Sequence, residues 1–118
     1  MYRLITYNLH SGVGRDGIQD YARIGRFLVE QDADFVLLQE MDTRSAERDV
    51  NDDISAICAD GKYMLIAAPT VTTRHGWYGN AILTRHPVLH RQQFDISVSG
   101  REPRTLQHVV VTLDKQPL

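Results

Sequence analysis

The sequence predicts an α/β fold in which one mixed β-sheet has helices on one face. Two short apolar runs, residues 3–10 and 34–40, have the length of buried strands, and apolar residues recur at helical spacing between them. Further strands are predicted near residues 79–84, 88–95 and 104–113. Because strands and helices alternate at first and strands then follow one another, we expect β-α-β-α-β units beside an antiparallel meander.

The first helix is predicted over residues 19–31. Tyr21, Ile24 and Leu28 recur at helical spacing, and Gln19 and Asp20 suit a first helical turn. This pattern is typical of a helix that covers a sheet with one apolar face.

The second helix is predicted to begin after Asp49, a residue that can cap its first turn. Ile54, Ile57 and Cys58 share one face, and Gly61 ends the helix. Residues 63–68 then form a third strand. Cys58 is the one cysteine of the chain, so no internal disulfide can form, and we expect a buried thiol.

Polar side chains stand at the ends of the predicted strands. The run over residues 34–40 ends in Glu40, and the first strand ends in Asn8 and His10, which a period of two directs to the same face. Asn80 stands at the mouth of a later strand. Because open α/β sheets place ligands at the carboxyl ends of their strands, Glu40 is predicted to be a metal ligand.

A glycine-rich segment, residues 12–17, offers a rival interpretation. It matches the dinucleotide fingerprint, follows a strand and precedes a helix, with Glu40 in the acidic position downstream. Four residues separate it from the apolar strand, however, and the turn pair at 16–17 delays the helix to about residue 19. A surface loop is therefore favoured over a nucleotide-binding oxidoreductase.

Composition narrows the class of protein. The chain has 118 residues, of which 42% are hydrophobic, and its net charge is -2, which argues against a dedicated nucleic-acid surface but not against a local basic cleft. No apolar stretch has the length of a signal peptide or membrane span, so cytoplasm is the expected location. The histidines at 75, 86, 90 and 108 lack the paired spacing of a zinc site.

With these residues in view, the chain resembles the endonuclease/exonuclease/phosphatase superfamily, which includes DNase I-like nucleases, apurinic endonucleases, sphingomyelinases and inositol-phosphate phosphatases. The resemblance rests on four short blocks in the family's order over nearly the whole chain. The blocks are residues 6–10 with Gly12, residues 38–40, residues 78–87 and residues 101–104.

The resemblance implies a role for each matching strand-end residue. Asn8 would orient a ligand carboxylate and the phosphate, and Glu40 would hold the divalent metal, with Asn8 beside it. Asn80 would complete the catalytic residues of this half. Mg²⁺ is the implied ion, with Mn²⁺ as a substitute, because a hard cation takes one or two carboxylates, water and phosphate oxygens.

The same resemblance implies that Arg104 or Arg101 brings a guanidinium to the substrate phosphate. His10 stands where some relatives have an acidic second ligand. It is therefore either a further phosphate-binding residue or a hydrogen-bonded strand-end histidine. The implied substrate is a phosphate ester, with nucleic acid, phospholipid head group and inositol phosphate left open.

Two further family motifs do not occur in this sequence. A Gly-Asp-x-Asn segment positions the nucleophile in the family, and a late Ser-Asp-His supplies the histidine that handles the phosphate. We therefore interpret residues 1–118 as a single partial domain, the N-terminal half of a DNase I-like four-layer α/β sandwich. The expected function is a metal-dependent phosphoesterase that is inactive as this chain alone, and the alternative is a non-catalytic fragment or interaction module.

The family fold packs two sheets face to face with helices outside, so a lone half should leave one sheet face bare. Phe35, Leu37, Ile82 and Val109 are predicted to lie on that face. Because a large exposed apolar patch drives association, we predict a homodimer through this face.

Overall fold

The computed structural model of the chain describes residues 1–15, 17–113 and 116–117. The described residues form two α-helices, a short 3-10 turn and seven strands in two sheets. The helices are α1 (Tyr21–Glu30) and α2 (Val50–Ile57), and the 3-10 turn is His10–Gly12. The strands are β1 (Leu4–Asn8), β2 (Phe35–Asp42), β3 (Met64–Thr72), β4 (Trp77–Thr84), β5 (Val88–Asp95), β6 (Thr105–Leu113) and β7 (Gln116–Pro117).

The larger sheet is mixed, with strand order β1-β2-β4-β3. Strand β1 runs parallel to β2, which is the β-α-β unit expected from the sequence, and β4 runs antiparallel to both of its neighbours. The α/β class with a mixed, helix-covered sheet is confirmed.

Each helix begins directly after an aspartate that caps it. Asp49 was predicted to cap α2, whereas Asp20 was predicted to lie within the first turn of α1 and instead precedes the helix. Asp20 accepts a hydrogen bond from the Arg23 N–H at 3.0 Å, and Asp49 accepts one from the Asn51 N–H at 2.7 Å. Helix α2 packs closely on α1 at Gly25, where a Cβ atom would lie 2.5 Å from the Ala56 carbonyl oxygen.

The hydrophobic core lies between these helices and one face of the larger sheet. The α1 residues Tyr21, Ile24 and Leu28 are buried there as predicted, against Val36 and Leu38 of β2. Their neighbours along β2 are half-buried and face the other way, as the period of two requires.

Strands β5, β6 and β7 form the second sheet, which differs from the single meander expected from the sequence. Strand β4 has β2 on one side and β3 on the other. Its backbone groups on both sides are therefore already in a ladder, and β5 has no edge of β4 to join. Strand β5 instead pairs antiparallel with β6.

Strand β6 lies over part of the sheet face that was expected to be bare. The Gln107 Nε2 donates a hydrogen bond to the Ile66 carbonyl oxygen at 2.8 Å, and Val111 and Leu113 are buried. A groove of about 450 Å³ remains between the sheets. Its lining includes the four residues predicted on this face, Phe35, Leu37, Ile82 and Val109, with Tyr2 and Leu4 at its side.

Neither described helix has the length and apolar character needed to cross a membrane. Cys58 is buried, as predicted, and burial raises the pKa of its thiol to about 11.

Candidate functional site

A β-bulge in β2 positions Glu40. Leu38 pairs with Ala81 and Met41 pairs with Gly79, so two residues of β2, Gln39 and Glu40, oppose the single residue Asn80 of β4. Glu40 has a φ of 56°, a left-handed conformation that is uncommon for a residue with a side chain.

The bulge decides which way the Glu40 carboxylate faces. Strict alternation would place Glu40 on the helix side with Leu38, and it would move Met41 off that side. Instead, Met41 is fully buried in the core, and Gln39 and Glu40 are successive half-buried residues. The extra residue therefore turns Glu40 out of the core, onto the face that carries Asn80.

A second bulge lies on the other side of β4. Pro69 pairs with Gly79 and Val71 pairs with Tyr78, so Thr70 of β3 has no opposite residue. At Gly79 the backbones approach closely, since a Cβ atom there would lie 2.6 Å from the Ala68 carbonyl oxygen. The two bulges therefore lie on opposite sides of the same short stretch of β4, residues 78–80.

The two bulges form one side of a cleft of about 440 Å³, and the segment between β5 and β6 forms the other side. The side chains that line the cleft include two carboxylates, two amides, two threonine hydroxyls, a tyrosine and an arginine. Its lining residues are Gln39, Glu40, Thr70, Tyr78, Gly79, Asn80, Ile96, Glu102, Pro103, Arg104 and Thr105.

Arg104 stands on the side opposite the bulges. Its backbone is fixed, because its N–H donates to the Ser97 Oγ at 2.9 Å and its carbonyl accepts from the Ile96 N–H at 3.2 Å. Its guanidinium contacts the Glu102 carboxylate at 3.3 Å, with both side chains more than half exposed. Exposed pairs of this kind contribute little to stability, so a phosphate in the cleft can compete for Arg104.

Tyr78 is one of the residues that line this cleft. Burial raises its pKa, and the negative charges of Glu40 and Glu102 raise it further. The hydroxyl therefore stays protonated at neutral pH and is able to donate a hydrogen bond. The Arg44 guanidinium lies 4.8 Å from the centre of the ring.

The chain is held firmly just after the Glu40 bulge. The Tyr21 hydroxyl donates to the Asp42 carbonyl and accepts from the Asp42 N–H, both at 2.8 Å, and burial raises the pKa of Tyr21 to about 12. Arg44 makes two 2.9 Å contacts with the Asp42 carboxylate and thereby lowers its pKa. These hydrogen bonds hold Glu40, with its left-handed backbone conformation, in place from its C-terminal side.

The structure brings three of the sequence-predicted residues together, namely Glu40, Asn80 and Arg104. Asn8 lies on the neighbouring strand, paired with Gln39, and its Oδ1 accepts a hydrogen bond from the His10 N–H at 3.0 Å. Asn8 and His10 are exposed and do not line the cleft that contains Glu40.

Arg101 lines a neighbouring depression of about 510 Å³, which shares Glu102 and Arg104 with the Glu40 cleft. Of the two arginines that the sequence left open, Arg104 is the one that lines the same cleft as Glu40. Sequence reasoning missed Thr70 and Gln39, although a proline inside a strand and two successive polar residues are both recognisable signals of a bulge.

The side chains of the cleft fit a hard cation. Glu40, Gln39 and Asn80 offer carboxylate and amide oxygens, the donors that Mg²⁺ and Mn²⁺ take together with water and phosphate oxygens. Among the described residues, no group of three or more His, Cys, Asp or Glu side chains could hold a metal ion. A cation here would therefore have at most two of these side chains as ligands, and one of the two cleft carboxylates, Glu102, is already paired with Arg104.

The glycine-rich segment has the structure of a closed surface loop in its described residues. The Gly14 N–H donates to the Ile18 carbonyl oxygen, and the Gly17 N–H donates to the Gly14 carbonyl oxygen. Helix α1 begins only at Tyr21, and its first turn is capped by the Asp20 carboxylate. These contacts occupy the amides that a dinucleotide phosphate would need.

The model of the Endonuclease/Exonuclease/phosphatase family matches residues 5–114. No match was found among the curated proteins.

Solved structures show the same fold. The chain superposes on an endonuclease/exonuclease/phosphatase from Beutenbergia cavernae DSM 12333 with a TM-score of 0.69 and 20% identity, covering 98% of this chain and 35% of that one. It matches the mannosyl-6-phosphatase Bt3783 of Bacteroides thetaiotaomicron VPI-5482 with a TM-score of 0.70 and 16% identity, covering 95% and 46%.

A third similar structure is D. rerio TDP2 complexed with single strand DNA product, with a TM-score of 0.68 and 19% identity, covering 99% of this chain and 43% of that one. The chain thus spans less than half the length of each of these three proteins.

Proposed function

The chain belongs to the Endonuclease/Exonuclease/phosphatase family, and on this premise we propose that the Glu40 cleft is the metal-binding and phosphate-binding part of a phosphoesterase site. The observation that supports this most strongly is the bulge in β2, which holds Glu40 at a φ of 56° and directs it toward Asn80. Residues kept in a sparsely populated conformation cluster at functional sites, because the surrounding structure maintains the strain.

Glu40 is the proposed principal ligand of Mg²⁺ or Mn²⁺, with the Asn80 amide beside it. Asn8, one strand away, is proposed to orient the ligands of the ion from its exposed position. A divalent cation bound there would neutralise the phosphate charge and polarise its oxygens.

Arg104 is proposed to bind the phosphate from the opposite side of the cleft, after exchanging Glu102 for the phosphate oxygens. Arg101 and His10 are proposed to contact more distant parts of a larger substrate. The Tyr78 hydroxyl, which its raised pKa keeps protonated, is proposed to donate to an oxygen of the same group. These residues would bind and orient a phosphate ester such as a nucleic acid, a phospholipid head group or an inositol phosphate.

The metal proposal is tested by titrating the chain with Mn²⁺ and measuring paramagnetic broadening of amide resonances. Broadening should centre on residues 40 and 80, because Glu40 is the expected ligand. Glu40→Gln should weaken binding by more than about tenfold, since the amide keeps the shape and removes the charge. Broadening centred elsewhere, or unchanged in Glu40→Gln, would contradict the assignment.

Glu40→Gly is the matched control for this experiment. It removes the carboxylate and also the left-handed strain, so it should lose Mn²⁺ binding while raising the free energy of unfolding by about 1 kcal/mol. Gain of stability together with loss of the ion would show that binding fails for lack of a ligand and not for lack of a fold.

We further expect no measurable hydrolysis by this chain alone. The family's nucleophile-positioning Asp and its catalytic His have no counterpart in the sequence, and loss of such groups typically removes orders of magnitude in rate. Bis-p-nitrophenyl phosphate and plasmid DNA would be assayed with Mg²⁺ and Mn²⁺. Turnover that disappears in Glu40→Ala would show that the chain is catalytically complete.

A further inference from the structure

The last residues of β2 lie beside a strand on only one side. On that side, Asp42 pairs with Tyr78 of β4. On the other side, β1 follows β2 only as far as Asn8, which pairs with Gln39, and the chain then turns away in the 3-10 turn His10–Gly12. None of the described strands takes the place of β1 beyond that point. The backbone groups of Asp42 on this side therefore need partners of another kind.

Two side chains from the start of α1 supply these partners. The Tyr21 hydroxyl donates to the Asp42 carbonyl oxygen and accepts from the Asp42 N–H, both at 2.8 Å. The Gln19 Nε2 donates to the same carbonyl oxygen at 3.1 Å. A hydroxyl can donate one hydrogen bond while it accepts others, so the buried Tyr21 does here what a neighbouring strand does elsewhere along β2.

The same side chains also hold the turn that follows β1. The Gln19 Nε2 donates a second hydrogen bond, to the Ser11 carbonyl oxygen. Gly12 lies directly on the Tyr21 ring, where a Cβ atom would be 2.7 Å from Cε1, and its φ of 78° also favours glycine. Gln19 and Tyr21 therefore fasten the end of β1, which carries Asn8, to the end of β2.

Arg48 determines which way the Gln19 amide points. Its Nη2 donates to the Gln19 Oε1, and its Nε donates to the buried Asp53 carboxylate at 3.0 Å. A guanidinium can only donate, so the amide oxygen has to face Arg48. This leaves both hydrogens of the amide nitrogen for the carbonyl oxygens of Ser11 and Asp42.

We propose that Tyr21 and Gln19 are positioning residues for the Glu40 cleft, an inference that rests on the metal-binding role proposed for Glu40. Neither side chain lines the cleft, so both act through Asp42, two residues after Glu40. Without their hydrogen bonds the end of β2 is free to return to regular alternation. Glu40 then leaves its left-handed conformation and turns toward the helices, away from Asn80.

The proposal also gives a role to the glycine-rich segment, residues 12–17. Its first glycine lets the chain pass over the Tyr21 ring, and its closed loop leads directly to Gln19. In its described residues, the segment thus connects the two strand ends of the cleft and brings both positioning side chains to β2.

Tyr21→Phe tests the proposal, with Tyr63→Phe as the matched control. Both tyrosines are buried, and the Tyr63 hydroxyl also bonds to the backbone, since it donates to the Ala33 carbonyl oxygen at 2.9 Å. Ala33 precedes β2 and lies at the opposite end of that strand from Glu40. Each variant removes one buried hydroxyl, so both should lower the urea concentration at which the full chain unfolds.

Mn²⁺ affinity distinguishes positioning from a merely structural role. Calorimetric titration of the folded chains should show binding weakened by at least about tenfold in Tyr21→Phe and unchanged in Tyr63→Phe. Gln19→Met keeps the length of the side chain and removes its donor, so it should weaken binding about fivefold, the effect of one typical hydrogen bond. It replaces Tyr21→Phe in the comparison if that variant does not fold. Equal loss of affinity in the two phenylalanine variants would overturn the proposal.

A measurement without the ion separates this inference from the proposed metal site. The carbon chemical shifts of Glu40 report its backbone conformation, and they should move toward extended-strand values in Tyr21→Phe but not in Tyr63→Phe. Unchanged Glu40 shifts in Tyr21→Phe and Gln19→Met would refute the positioning role even if the wild-type chain binds Mn²⁺. Altered shifts in a chain whose wild type binds no Mn²⁺ would support the control of Glu40 by Tyr21 and refute the metal site.

Discussion

Replacing Asp34 with alanine should destabilise the chain by about 3–5 kcal/mol, the loss typical of breaking a buried ion pair. Asp34 is 4% exposed, and its carboxylate joins three segments of the chain. It accepts from the Arg3 N–H at 2.7 Å and from the Arg85 Nε at 3.0 Å, and it contacts the His86 Nε2 at 2.7 Å. Removing it would leave the partly buried donors of Arg3, Arg85 and His86 without their common acceptor.

The same carboxylate should give the chain an acid-dependent stability. Burial alone would raise its pKa, but hydrogen bonds from His86, the Arg3 backbone and Arg85 outweigh burial and lower the pKa from 3.8 to about 2. Because the folded pKa lies below the unfolded value, this contribution is complete above about pH 4 and is lost as the pH falls toward 2. The shift corresponds to about 2 kcal/mol.

Urea unfolding between pH 2 and pH 7 would measure both effects, with Asp34→Asn and Asp32→Asn as the comparison. Asp32 also contacts Arg85, at 2.7 Å, but its side chain is 69% exposed. Its replacement should therefore change the free energy of unfolding by less than about 1 kcal/mol and leave the acid dependence intact. Asp34→Asn should reduce the loss of unfolding free energy that the wild-type chain shows as the pH falls from 4 to 2. Equal behaviour of the two variants would contradict the assigned role of Asp34.

Gly79→Ala should destabilise the chain by about 1–3 kcal/mol, as overpacking usually does, and should also disturb the cleft. The added Cβ would lie 2.6 Å from the Ala68 carbonyl oxygen and 2.8 Å from the Thr70 N, both of them backbone atoms of β3. Since β3 cannot give way by rotating a side chain, β4 has to move. That movement would displace Asn80, the next residue along the strand, relative to Glu40.

Thermal unfolding and Mn²⁺ titration of Gly79→Ala would be compared with those of Gly61→Ala. Gly61 has no atom within 4 Å of an added Cβ, and its φ of 94° makes alanine strained for a purely local reason. Gly61→Ala should lose about 1–2 kcal/mol without changing Mn²⁺ binding. Unaltered binding in Gly79→Ala would show that the closeness of β3 and β4 does not shape the site.

The local elements could be predicted from the sequence because their signals are local. Asp49 caps the second helix as expected, Asp20 lies at the start of the first helix within one residue of its expected place, and strand β5 has the predicted bounds. The packing of Tyr21, Ile24 and Leu28 in the core follows from helical spacing alone. The family was also recognisable, since its short blocks keep their order along the chain.

The division into two sheets could not be predicted in the same way. Residues 79–84, 88–95 and 104–113 have the signals of three consecutive strands, and such strands usually pair with one another. Whether β4 has a free edge depends on β2 and β3, which come from distant parts of the chain. The ladder formed with these two strands is what sends β5 and β6 into a second sheet.

The sequence by itself determined that a carboxylate ends the apolar strand of residues 34–40, and that an amide at residue 80 and an arginine at residue 104 follow it. Only the tertiary structure decided that these three face one cleft. A side-chain period of two would direct Glu40 toward the helices. The bulge, in which Gln39 and Glu40 together oppose the single residue Asn80, turns the Glu40 side chain to the other face of the sheet. Register between strands far apart in sequence is set by packing, so local patterns cannot specify it.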